Sequence, residues 1–208
     1  MDSSIDLNGG QLAGADLAGK DLSGADLSGA DLSGADLSGA WLGGIDGVNL
    51  SHADLSGANL SDASLGKSDC RQANLEGANL SGALLPDGLF ESATLRDANL
   101  RGAELQFASF LFADLRGADL RGADLEDADL RSANLSEVNL AEANLTGAVL
   151  ARATLSRANL YEAILTGANL FEAELEGAQL PVGIGEINVW PAGVWPETLW
   201  PEGYGPIG

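Results

Sequence analysis

The chain predicts an all-β solenoid, and three features carry that expectation. Leucine recurs every five residues, and from Leu50 to Leu180 the phase holds through 27 consecutive repeats. The residue two before it is Ala in 23 of those 27, with a polar residue between, so each repeat pairs a small and a large apolar side chain. A period of five fits neither the spacing of about 3.6 that a helical face needs nor the spacing of 2 that a flat strand needs. The pair at positions i−2 and i alternates as a very short strand would. Two further residues intervene before the next pair, so the chain turns there. A unit this short buries its apolar side only by stacking on copies of itself. Ala and Leu then face inward, while Asp or Asn between them and Ser, Arg, Glu or Gly after Leu face water. Gly at the second position after Leu suits a turn, because it tolerates positive φ.

Taken in order, the first block carries eight central leucines from Leu7 to Leu42, in near-exact Ala-Asp-Leu-Ser-Gly copies. Residues 1–47 hold eight Asp and one Lys, so stacked coils there bring like charges together. Between Leu42 and Leu50 the spacing is eight, three more than a repeat, and Gly43-Gly44-Ile45-Asp46-Gly47 fills it. This predicts an outward loop or bulge at 43–47 with Trp41 lying over it. One Asp among glycines falls short of the ligand count of a calcium site. The main block runs from Val48 to Leu180, and its central residue departs from Leu only at Cys70, Phe90 and Phe110. From Pro181 the pattern breaks into Trp190-Pro191, Trp195-Pro196 and Trp200-Pro201. Pro cannot donate to a ladder and Trp is too large for repeated interior positions. Since a solenoid end is an open sheet edge, residues 181–208 read as a cap.

The pattern of units such as Ala113-Asp114-Leu115-Arg116-Gly117 resembles the A(D/N)LxX motif of the pentapeptide repeat family over residues 5–180. The resemblance implies a right-handed, four-sided parallel β-helix with four repeats per coil. That makes about nine coils, two from the first block and nearly seven from the second. One face then stacks Leu50, Cys70, Phe90, Phe110, Leu130, Leu150 and Leu170, which brings the three unusual central residues together. In related proteins, loops contact the target, which marks 43–47. The ending Trp200-Pro201-Glu202-Gly203-Tyr204 is similar to endings in bacterial, notably cyanobacterial, members.

Net charge is −21, with 31 acidic residues against 10 basic. That argues against direct nucleic-acid binding and against anionic membrane surfaces, both of which call for a basic face. Single Cys70 excludes an internal disulfide, and its ladder position reads as a small buried hydrophobe. The start, Met1-Asp2-Ser3-Ser4-Ile5, shows no apolar signal segment, and no run of 18 apolar residues spans a membrane. A cytoplasmic protein is expected. His52, expected to face outward, is the one histidine, so no histidine triad or zinc cluster can be assembled. Gly183-Ile184-Gly185 lacks the strand–helix context of a phosphate loop. Carboxylate pairs recur on every coil, which distinguishes none of them. No catalytic, cofactor or metal residue emerges, and the expectation is a protein without enzymatic activity.

Two functional readings follow. The first is a structural scaffold that presents a face to a protein partner. The rule of polar outward positions is broken at Leu89, Phe107, Leu111 and Phe112, with Leu84 adjoining. These group around the Leu50 face, whose charge sums to −1 over the main block. This patch serves a partner or a homodimer; the C-terminal tail is the other candidate dimer contact. The second reading comes from the resemblance: some family members mimic duplex DNA, bind type II topoisomerases such as gyrase in the DNA site, and protect them from quinolones. Residues 1–181 carry −18 over a length of about 43 Å. That is one charge per roughly 2.4 Å, against about 1.7 Å for B-DNA. Asp21, Asp26, Asp31 and Asp36 form the candidate acidic surface.

Overall fold

Four parallel ladders run the length of the molecule, and each repeat contributes one bridged residue, the Asp/Asn position, to one of them. The computed structural model describes residues 6–43 and 47–181. Within the main block every bridge joins residues 20 apart, such as Asn49 with Asp69 and Asp54 with Asn74. Across the insertion the spacing becomes 23, as in Asp26 with Asn49 and Trp41 with Ser64. The three extra residues are therefore absorbed at one corner, and the two blocks share one set of ladders. The chain is a four-sided prism whose sides are named here for Leu50, Leu55, Leu60 and Leu65.

The bonding of one repeat shows why five residues close a side. Leu50 N–H donates to Asp69 O at 2.7 Å, and His52 N–H to Arg71 O at 3.0 Å, both in the next coil. Asp69 N–H donates back to Val48 O at 2.9 Å, and Ala53 N–H closes the turn onto Leu50 O at 3.0 Å. Each side thus pairs through a single bridged residue, and the corner is a four-residue turn. The third turn residue has φ between +54° and +72° at every regular corner, while the second does not, which is type II geometry. In the first block that residue is always Gly, from Gly9 to Gly39. In the main block 17 of the 26 turns place another residue there, His52, Phe107 and Phe112 among them. The turn is imposed by stacking on neighbours rather than by local preference alone.

The interior is a buried column made mostly of Ala and Leu, from Leu22 and Ala25 to Ala178 and Leu180. Cys70, Phe90 and Phe110 are all within 1% of complete burial on the Leu50 side. The two rings stack with centroids 4.9 Å apart and planes 9° apart, within the offset-stacked range. Gly88 stands where Ala is usual because a Cβ there would lie 2.7 Å from a Phe90 ring carbon. Burial also drives the Cys70 thiol well above its ordinary range, so it sits there as a neutral hydrophobe. Outside, the amide ladder of the Leu60 side runs along the axis. Asn59 donates to Asp36 at 3.1 Å, Asn79 to Asn59 at 3.0 Å and Asn99 to Asn79 at 2.9 Å. It stops at Asp119, whose carboxylate has no N–H to pass on, and resumes from Asn159 to Asn139 at 3.1 Å.

Gly43 and Gly47 are the described ends of the inserted segment. Gly47 has φ +72°, and a Cβ there would fall 2.3 Å from Lys67 O, so only Gly brings the chain back into register. The proposed cap, with Trp190, Trp195 and Trp200, lies outside the described residues.

Candidate partner-binding surface

The exposed aromatic residues Phe107 and Phe112 are products of the turn geometry. Both hold the third turn position, at φ +60°, where the side chain is thrown outward from the corner. Phe107 is 59% exposed at the corner leading onto the Leu50 side, and Phe112 62% exposed at the corner leaving it. They flank that side within a single coil. Leu84 is 40% exposed on the adjoining Leu65 side, one coil toward the N-terminus. Leu89, bridged to Ser109, and Leu111 are half-buried. Of the residues that break the polar outward rule, Phe107, Phe112 and Leu84 are exposed, while Leu89 and Leu111 are half-buried. Leu111 also belongs to the corner, not to the flat of the side, because the turn takes the first two residues after Phe110. One carboxylate oxygen of Glu91, a coil below Leu111, is buried without a hydrogen-bond partner.

Asp21, Asp26, Asp31 and Asp36 are brought together differently from a flat surface. They lie one on each of the four sides, bridged to Trp41, Asn49, Asp54 and Asn59, and so form a ring around one coil. Each carboxylate closes a local turn. Ser23 donates its hydroxyl to Asp21 at 2.7 Å and its N–H at 3.1 Å, and Ser33 does the same for Asp31 at 2.7 and 3.1 Å. The serine hydroxyl and then the backbone N–H hold all four carboxyls below the ordinary carboxylate range.

Charge is distributed unevenly along the axis. In the main block, Asp69, Asp114, Asp119 and Asp129 are each paired with the Arg two residues on, Arg71, Arg116, Arg121 and Arg131. Arg96 also reaches Asp114 at 2.6 Å, and the two guanidiniums, Arg116 first, lower that carboxyl to about 2. The first two coils have only Lys20 to offset their aspartates. The acidic field is therefore strongest at the N-terminal end; in the coils around Phe107 and Phe112, Asp129 is paired with Arg131, while Asp87 and Asp127, which stand at the turn position of Phe107 in the adjoining coils, are in none of these pairs.

Among the described residues, no group of three or more His, Cys, Asp or Glu side chains is placed to hold a metal ion. No helix there is long and apolar enough to cross a membrane. His52 is exposed at its turn. The sequence signal that went unread was the turn position itself. Phe, rather than Gly, two residues after the central position already announces an aromatic side chain pushed into solvent.

These features define a parallel β-solenoid built from five-residue units, with an apolar lumen and a patterned outer surface. The chain belongs to the pentapeptide repeat family: the family profile described as Pentapeptide repeats (8 copies) matches residues 5–44, 45–83, 89–122, 123–160 and 148–181. Among solved structures it is similar to HetL, a pentapeptide repeat protein involved in heterocyst differentiation regulation from the cyanobacterium Nostoc sp. strain PCC 7120. That match has 34% identity and a TM-score of 0.46, and covers 86% of this chain and 84% of HetL. A trypsin-treated form of QnrB1, a plasmid-mediated fluoroquinolone resistance protein, matches at 20% identity and a TM-score of 0.49, covering 86% and 82%. A thylakoid-lumen member from Arabidopsis thaliana matches at 39% identity and a TM-score of 0.27, covering 50% and 68%. No curated protein matches.

Proposed function

We propose that this protein is a non-enzymatic scaffold of the pentapeptide repeat family, a rigid prism that presents the Phe107–Phe112 region to a protein partner. The observation that carries the reading is the pair of solvent-exposed aromatic side chains flanking one side of a single coil. Phe107 and Phe112 are 59% and 62% exposed, so packing within the chain gains little from either ring. Two large apolar side chains exposed on one coil of a very acidic molecule mark an interaction site. The reading takes the protein to be cytoplasmic, wound right-handed over about nine coils, and closed by its C-terminal segment.

The test is the double variant Leu111→Ser and Phe112→Ser, compared with the parent by light scattering and by partner capture from lysate. The scaffold reading expects a loss of captured partner, or a fall in mass if the partner is a second copy. Unchanged assembly with unchanged capture would leave these side chains only a shielding role.

A second reading is favoured by one observation, the ring of four aspartates in a region with a single lysine. In that reading the N-terminal coils mimic duplex DNA and bind a type II topoisomerase such as gyrase, protecting it from quinolones. Inhibition of supercoiling would then weaken with salt, because exposed charge attraction is screened over about 10 Å at 0.1 M. Converting Asp21, Asp26, Asp31 and Asp36 to Asn would weaken it further. No effect on supercoiling at micromolar protein would remove this reading.

A further inference from the structure

The two exposed aromatic residues beside the Leu50 side stand in different surroundings. At the corner entering that side, successive coils place Lys67, Asp87, Phe107, Asp127 and Gly147 in one column, all at the third turn position. Phe107 is thus flanked by Asp87 and Asp127, each one coil or about 4.8 Å away. Values of φ between +55° and +60° throw all three side chains outward. Both aspartates are exposed, and neither carboxylate enters an ion pair or a hydrogen bond among the described residues. Asp127 leans over Gly147, which has no side chain to oppose it. Glu126 on the same corner and Glu104 on the adjoining side are also exposed. Asp124, between them, is held by Gln106 at 2.7 Å and Asn144 at 2.9 Å. The nearest cation in the column is Lys67, two coils from Phe107. At the corner leaving the side the column runs Gln72, Ser92, Phe112 and Ser132, so small neutral residues flank the second ring. Arg131, at that corner, is paired with Asp129.

We infer that the partner presented to this region is an extended basic segment, with an arginine over Phe107 and an apolar side chain on Phe112 and Leu111. A guanidinium is attracted to the face of an aromatic ring. Over Phe107 it lies between two carboxylates that nothing else in the described structure engages, and it gains a charge-assisted hydrogen bond from either. The ring alone would select no charge, and an acidic surface alone would draw any cation. Their alternation in one column selects a cation that can also stack. The two turns leave Ala108, Ser109 and Phe110 extended between the corners, a span of about 10 Å, which three steps of an extended partner chain cover. Charge complementarity then fixes the orientation: cation toward the Asp87 and Asp127 column, apolar residue toward the neutral one. The inference rests on the scaffold reading of this region and adds to it the chemistry of the partner.

The test is a titration of the full chain with the peptide acetyl-Gly-Arg-Gly-Gly-Leu-Gly-amide at low salt, followed at the backbone amide resonances of Phe107, Phe112 and Asp127. A saturable shift is expected, with none from the same peptide carrying Glu in place of Arg. Phe107→Ser installs a residue that this turn position already takes at Ser92 and Ser132. It should raise the dissociation constant by roughly threefold or more, and Asp87→Asn with Asp127→Asn should act in the same direction. Asp21→Asn with Asp36→Asn removes as much charge from the N-terminal ring and should leave the titration nearly unchanged. Equal weakening by the two asparagine pairs, binding indifferent to Phe107→Ser, or a shift that never saturates would overturn the inference and leave only diffuse attraction to an acidic surface. The scaffold reading would survive that result if lysate partners were still lost from the phenylalanine variant.

Discussion

Phe110 fills the lumen beside Phe90 because Ala108 and Gly88 leave room at the neighbouring inward positions. Phe110→Ala should therefore cost on the order of 3–5 kcal/mol, since a column fixed by backbone bonds on both sides cannot collapse into the gap. Gly88→Ala, a change toward the repeat consensus, should nonetheless destabilise by about 1–3 kcal/mol through contact with the Phe90 ring. Ser68 gives the opposite expectation. It is fully buried at an inward position, and its hydroxyl has no hydrogen-bond partner. Ser68→Ala should stabilise by about 1 kcal/mol, because the unsatisfied hydroxyl is removed at little cost in packing. Thermal denaturation of the three variants separates these cases by sign as well as by size.

At the scale of the repeat, one carboxylate or amide per unit holds the following turn, and this ties stability to pH. Asp21, Asp26, Asp31, Asp36 and Asp114 all have carboxyls lowered by hydrogen bonds or by arginine. A group lowered in the folded state contributes stability that is fully present above its unfolded value, about 3.9. That stability is lost as the pH falls through the folded value. Melting temperature should therefore hold steady from neutral pH to about pH 4 and fall as the pH drops toward 2, where Asp114 titrates. Asn accepts the same N–H and O–H bonds without titrating. A variant with Asn at 21, 26, 31 and 36 should show a shallower fall between pH 4 and pH 2, measured by circular dichroism. The insertion supplies a separate test of register. Gly47→Ala would drive a Cβ into Lys67 O at positive φ, and melting should fall more than for Gly57→Ala, whose added Cβ meets nothing within 4 Å.

Over the whole molecule, the path of the chain was readable before any coordinates because the repeat leaves few alternatives. Leu at every fifth position fixes which residues face in, and the four repeats per coil implied by the family resemblance, with which the 20-residue spacing of Cys70, Phe90 and Phe110 agrees, say which coils touch. The 23-residue bridges across the insertion were readable only as an irregularity, because spacing alone does not say which corner absorbs three residues. The candidate surfaces were harder. Leu89, Phe107, Leu111 and Phe112 all break the outward rule in sequence, yet only the two in the positive-φ turn position are thrown fully into solvent. The four aspartates look like a linear series and become a ring, since consecutive repeats lie on consecutive sides.

The proposed binding face is the region around Phe107 and Phe112, away from the acidic N-terminal ring. Its most direct test is partner capture by three immobilised proteins side by side: the parent, Phe107→Ser with Phe112→Ser, and the variant with Asn at 21, 26, 31 and 36. Retention of the parent's partners by the aspartate variant, with their loss from the phenylalanine variant, is the predicted result; loss from the aspartate variant alone would contradict it.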